Sequence, residues 1–166
     1  MNVKKTLHIP IINEGEEKVR SEFEIPITFT SKIESGKHKE KITSALKRFL
    51  KSSNVKQQQL AELMCVTSSI VSSYMTGRRR IIPDHLHAFC IALRLSPNKQ
   101  RYLHHILGWK MPDENGNGED SRETIIRRYL DFCSCHKNMN VKSCNDELIR
   151  SKYWPLTEKA MRGKRL

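Results

Sequence analysis

Gln57-Gln58-Gln59-Leu60-Ala61-Glu62-Leu63-Met64-Cys65-Val66-Thr67-Ser68-Ser69-Ile70-Val71-Ser72-Ser73-Tyr74-Met75-Thr76-Gly77-Arg78 is the stretch that decides the fold. Leu60, Met64, Val66, Val71 and Tyr74 recur at a spacing that predicts two short helices, about 56–64 and 68–76, joined by a tight turn. Ala61 is small, as a close crossing of those helices requires. Thr67 heads the second helix, where its hydroxyl can accept from the free N–H groups of the first turn. Gly77 follows the last turn and suits a left-handed C-cap.

Working outward, the helical period continues on both sides. Ile42, Ala45, Leu46, Phe49 and Leu50 predict a first helix over about 39–52, and Ser52-Ser53-Asn54 ends it with cap candidates for the next. Pro83 opens a fourth helix, about 83–94, with Asp84 beside it to complement the dipole; Ser96-Pro97 opens a fifth, about 97–108. Five short helices with such brief turns make a compact, mainly α bundle.

The order Gln57, Leu60, Ala61, Val66, Thr67, Val71, Ser72 resembles the phage-repressor-like helix-turn-helix family (the lambda-repressor-like, or xenobiotic-response-element, class). Its pattern is Gln-x-x-Leu-Ala-x-x-x-Gly-Val-Ser-x-x-x-Ile-Ser, and the resemblance covers roughly residues 40–108. It implies a five-helix DNA-binding bundle whose second motif helix enters the major groove. It implies base contacts from Ser68, Ser69 and Ser73, and phosphate contacts from Gln57 and Thr67. Lys56, Arg78, Arg79 and Arg80 flank the motif and suit phosphates, which position without specifying. Serine hydroxyls donate or accept, so they discriminate bases less well than Arg or Gln does. DNA shape, or neighbours such as Tyr74 and the N-terminal arm, are then expected to share in the selectivity. Two positions depart from the pattern. Cys65 stands where the family has Gly, at a strain of about 1 kcal/mol for a side chain at positive φ. Met75 stands where Glu is frequent.

The balance of charge agrees with a polyanionic partner. Thirty Lys and Arg oppose eighteen Asp and Glu over 166 residues, a net charge of +12, and such an excess attracts nucleic acid of either kind. Ahead of the helices, Leu7-His8-Ile9-Pro10-Ile11 and Phe23-Glu24-Ile25-Pro26-Ile27 flank a Gly-containing turn, which predicts a β-hairpin arm within residues 1–35. Residues 111–120 read as a polar linker. In 121–166 a helix capped by Ser121 is expected, then a short one from Asn145 to Tyr153, and a basic tail from Lys159. The organisation expected is therefore a hairpin arm (1–35), a helix-turn-helix domain (39–110), a linker (111–120) and a helical C-terminal extension (121–166).

Five cysteines without an export signal argue against structural disulfides and for a cytoplasmic protein. Cys133, Cys135, His136 and Cys144 offer thiolate and imidazole ligands for zinc, although Cys-x-Cys-His is not the usual knuckle spacing; free or buried thiols are the competing reading. His85, His87, His104 and His105 are expected at the surface or at an interface. No catalytic triad, paired carboxylates or phosphate-cradling glycine loop occurs, so neither an enzyme nor a cofactor is expected. Leu103, Ile106, Leu107 and Trp109 carry more apolar surface than a five-helix bundle needs, which predicts a homodimer on a palindromic operator. The function expected is a DNA-binding transcriptional regulator, a repressor of bacterial or mobile-element kind. An antitoxin-type autorepressor that holds a toxin with its flanks, or a basic module for RNA or an acidic protein, are the alternatives.

Overall fold

The computed structural model describes residues 41–112 and 121–157. The hairpin arm, most of the linker and the basic tail lie outside the described residues. The chain divides into two units, Met1–Lys39 and Glu40–Leu166, and all that follows concerns the second.

Seven helices run through the described residues: α1 Ile42–Ser52, α2 Gln57–Leu63, α3 Ser68–Thr76, α4 Pro83–Ala92, α5 Pro97–Leu107, α6 Arg122–Phe132 and α7 Val141–Arg150. No strand occurs among the described residues. The first five match the expected elements to within a few residues, and Pro83 and Pro97 open α4 and α5 as their fixed φ favours. α4 stops at Ala92, short of the expected end, because Arg94 turns into the left-handed region at φ 52°. The residues Ser52-Ser53-Asn54 do not cap α2. The two serine hydroxyls donate back to the Phe49 carbonyl, Asn54 turns left-handed at φ 52°, and Lys56 takes the N-cap position.

The C-terminal helices differ more from expectation. Ser121 does cap α6, accepting from Thr124 N–H at 3.2 Å. α7, however, begins at Val141 instead of Asn145. Asn140 Oδ1 accepts from Ser143 N–H at 3.0 Å while Ser143 Oγ accepts from Asn140 N–H at 3.2 Å, a reciprocal cap. Asn145 is then wholly buried inside the helix. Its carbonyl accepts from Leu156 N–H and its amide donates to Thr157 Oγ1, so the segment after α7 is strapped to it.

Residues 121–157 complete the core of the bundle. α6 and α7 pack on α4, and Ile125, Ile126, Leu130, Val141, Cys144 and Leu148 are all buried. Polar clamps fix the docking. Arg94 donates to the carbonyls of Cys133, His136 and Lys137, the free acceptors beyond the end of α6. The buried Gln100 amide donates to Leu95 O and Leu130 O, both at 2.7 Å. Arg122 pairs with Asp84 at 2.8 Å, joining the starts of α6 and α4.

This packing narrows one expectation and corrects another. Of the residues whose apolar surplus suggested a dimer, Leu103 and Ile106 are buried within the one chain, while Leu107 and Trp109 are half-buried. His85, His87 and His104 are buried as well, while His105 is exposed. The His87 and His104 rings stack at 5.3 Å and 16° between α4 and α5. No helix among the described residues is long and apolar enough to cross a membrane.

Candidate nucleic-acid interface

α2 and α3 pack through Leu60, Ala61, Met64, Val66, Val71 and Tyr74, none more than 3% exposed. The turn between them closes on backbone bonds: Cys65 N–H donates to Glu62 O, and Val66 N–H to Ala61 O. Cys65 sits at φ 54°, the conformation for which the family pattern places Gly. Its short side chain is accommodated half-buried. The far end of α3 is set by Gly77 at φ 75°. A Cβ added there would also lie 3.3 Å from Thr43 Cγ2 of α1, so space and conformation both call for glycine.

With both ends fixed, the first turn of α3 is presented to solvent. Thr67, Ser68 and Ser69 are exposed there. Thr67 has the extended backbone of an N-cap, but its hydroxyl does not accept from the first-turn N–H groups as expected. It pairs instead with the Ser69 hydroxyl at 3.0 Å. The N–H groups at the start of the helix are thus not taken by that cap, and a helix start offers such donors to an anion. Ser73, one turn on, is half-buried and donates to Ile70 O at 2.7 Å. Its proton is committed to the helix, which leaves the hydroxyl only as an acceptor for any other partner.

The basic run follows at once. Arg78, Arg79 and Arg80 are exposed, and the Arg79 N–H donates to Ser73 O at 3.1 Å, tying the run back onto α3. Lys56 and Gln57 are exposed at the start of α2, where Gln59 Oε1 accepts from Lys56 N–H. The charge is concentrated in this body: residues 41–112 hold twelve Lys and Arg against only Glu62 and Asp84. Lys47, Arg48 and Lys51 of α1 are exposed and belong to the same excess, which motif reading alone passes over.

Tyr74, expected as apolar filling and as a neighbour that shares in selectivity, is buried in the core, away from any base edge, and has a different part. Its hydroxyl hydrogen-bonds His85 Nδ1 at 2.6 Å, and the two rings meet edge to face. This buried pair joins α3 to α4 and fixes the roll of α3. The signal was available, since a buried tyrosine needs a partner for its hydroxyl.

The zinc candidates are not gathered. Cys133 is buried against the carbonyls of Cys90, Leu95 and Leu130, and Cys144 is buried elsewhere, while Cys135 and His136 are exposed. Burial pushes the Cys133 thiol up to about 11 and the Cys144 thiol up to about 12, so both favour the protonated form over the thiolate that zinc needs. Among the described residues no three His, Cys, Asp or Glu side chains form a metal-binding group, and none of the five cysteines is in a disulfide.

Comparison with known proteins agrees with this geometry. Residues 46–100 match the family model described as Helix-turn-helix, and this segment is of the phage-repressor-like kind. No curated protein and no solved structure matches the chain.

Proposed function

We propose that this helix-turn-helix protein is a sequence-specific DNA-binding transcriptional regulator, acting as a repressor that occludes a promoter. The observation that carries this reading is the exposed first turn of α3 with a basic run pinned at its far end. That is the form a helix needs to enter a major groove while its flanks meet phosphates. Ser68 and Ser69 are the base-reading residues in this reading, with Ser73 as an acceptor behind them. Lys56, Gln57, Thr67, Arg78, Arg79 and Arg80 hold phosphates.

A symmetric dimer on a palindromic operator belongs to the same proposal, on a changed ground. One short serine-faced helix reads few base pairs, and pairing two copies about one DNA turn apart doubles what is read. The α5 face supports it less than its composition suggests, because Leu103 and Ile106 are buried within the chain and only Leu107 and Trp109 are left half-buried.

Selection of bound sequences from a random DNA pool tests the proposal. The expected result is an enriched motif with two inverted half-sites, centred about 10 base pairs apart. Enrichment of a single half-site would overturn the dimer and leave the regulator. Binding that enriches no sequence and falls steeply with salt would favour a basic module for RNA or an acidic partner.

A further inference from the structure

A cavity of about 230 Å³ lies where α4, α5 and α6 meet, on a side of the chemistry that DNA reading does not use. An apolar cavity of about 150 Å³ already holds benzene, so this one suits a ligand with a fused pair of rings. Trp109 and Ile126 give it apolar walls, His87 and His104 line it, and Lys110 and Arg122 stand on it as cations.

The two histidines define the chemistry. His104 Nδ1 lies 2.8 Å from the Gln100 carbonyl. A carbonyl only accepts, so Nδ1 carries the proton and Nε2 is a bare acceptor. That Nε2 is buried with no hydrogen-bond partner, and so is His87 Nδ1. Burial lowers the His104 pKa, and burial, then His104 and Arg122, hold that of His87 at about 3. Both rings are therefore neutral near pH 7. A buried polar atom without a partner costs about 1–3 kcal/mol, and two occur on adjacent stacked rings lining one cavity; a neutral imidazole such as His87 keeps one bare acceptor nitrogen in either tautomer. Neither nitrogen is itself open to solvent. The χ2 torsion of histidine is broad, so turning the His87 ring out of its stack on His104 is the movement that would present its bare nitrogen to a ligand.

The remaining charges narrow the class. Arg122 is already neutralised by Asp84 at 2.8 Å, so the interior offers acceptors and little free positive charge to an anion. With that pair set aside, the other two charges of the lining, Lys110 and Glu123, are of opposite sign, so a cation is favoured no more than an anion. A hydrocarbon would leave both nitrogens as they are. We propose that this cavity binds a neutral planar nitrogen heterocycle of purine-base size, one of whose N–H groups donates to His87 while its rings lie against Trp109. The site is independent of the DNA-binding reading and would stand if that reading failed.

Trp109 and Trp154 are the two tryptophans of the chain. Trp154 is 74% exposed, so the full-length W154F variant leaves Trp109 as the only indole. Its fluorescence is titrated with adenine, hypoxanthine and adenosine, and with benzoate and benzene as comparators without N–H donors. The expected result is a saturable change with adenine or hypoxanthine, about tenfold or more weaker with either comparator. Adenosine matching adenine would place the natural ligand as a base carried on a ribose; adenosine failing would place it as a free base. Adding H87F removes the acceptor and keeps a stacked ring. It is expected to melt no lower than its parent and to bind the purine about tenfold or more weakly. If H87F does not fold, E123F on the exposed rim obstructs the mouth and takes its place with the same criterion. No saturable response to any purine, an equal response to benzoate or benzene, or a folded variant of unchanged affinity would overturn the proposal.

Discussion

Cys65 and Gly77 hold left-handed positions at the two ends of α3, and they tolerate them by different means. Gly77 has no Cβ to clash, whereas Cys65 bears a small one in a half-buried turn. The strain at Cys65 is about 1 kcal/mol, which glycine would relieve, but glycine also frees the unfolded chain by a similar amount. Cys65→Gly is therefore expected to lie within about 0.5 kcal/mol of the parent, and Cys65→Val, β-branched at positive φ, to lose about 1–2 kcal/mol. Urea denaturation checks both. Equal stability of the glycine and valine variants would mean that the turn does not hold this conformation. Both positions were legible in the sequence, because positive φ leaves a compositional mark: Gly77 by its identity, Cys65 by its place in the family pattern.

Among the elements, α3 is oriented by one polar contact that no periodicity shows. The Tyr74 hydroxyl and His85 Nδ1 meet 2.6 Å apart in the core. Burial raises the Tyr74 pKa, with Arg79 pulling the other way, so the hydroxyl keeps its proton. Tyr74→Phe removes a buried hydrogen bond and takes a partner from the imidazole. The expected loss is about 1–2 kcal/mol in denaturant unfolding; an unchanged midpoint would show that the pair contributes nothing to holding α3 on α4. Caps were legible where the residue stands next to an apolar run, as Ser121 does. Asn140 was missed because it lies in a polar stretch, five residues before the expected start of α7, where composition alone does not separate a cap from a loop.

At the scale of the whole molecule, helices α6 and α7 belong to the core, and that was not legible. Its determinants are separated by 30 to 43 residues: Gln100 to Leu130, Arg94 to Cys133 and to Lys137. Local pattern carries no trace of a guanidinium that meets carbonyls so far along the chain. The fold of the motif itself was readable because its contacts are local and its spacing is periodic. Burial of His87 and His104 at this junction adds a pH dependence. Both pKa values are lowered, that of His87 from 6.5 to about 3. The unfolded chain thus takes up protons that the folded one refuses. Stability is full above about pH 6.5 and falls as pH drops from there toward about 3. The slope is up to about 1.4 kcal/mol per pH unit for each linked group. His87→Phe should flatten that fall in thermal melts between pH 7 and 4; an unaltered slope would remove His87 from the account.

The central claim, that the first turn of α3 reads DNA while the basic run after it holds the backbone, is tested most directly by one binding measurement. Fluorescence anisotropy is recorded on a DNA site enriched by selection and on its scrambled counterpart, across a salt series, for the parent, Ser69→Ala and Arg79→Ala. The account predicts that Ser69→Ala narrows the gap between the two DNAs by about 0.5–1.5 kcal/mol and leaves the salt slope unchanged. It predicts that Arg79→Ala weakens both DNAs alike and lowers the slope by about 1 for each copy bound. Parent protein that binds the two DNAs equally, or variants that bind as the parent does at every salt concentration, would contradict it.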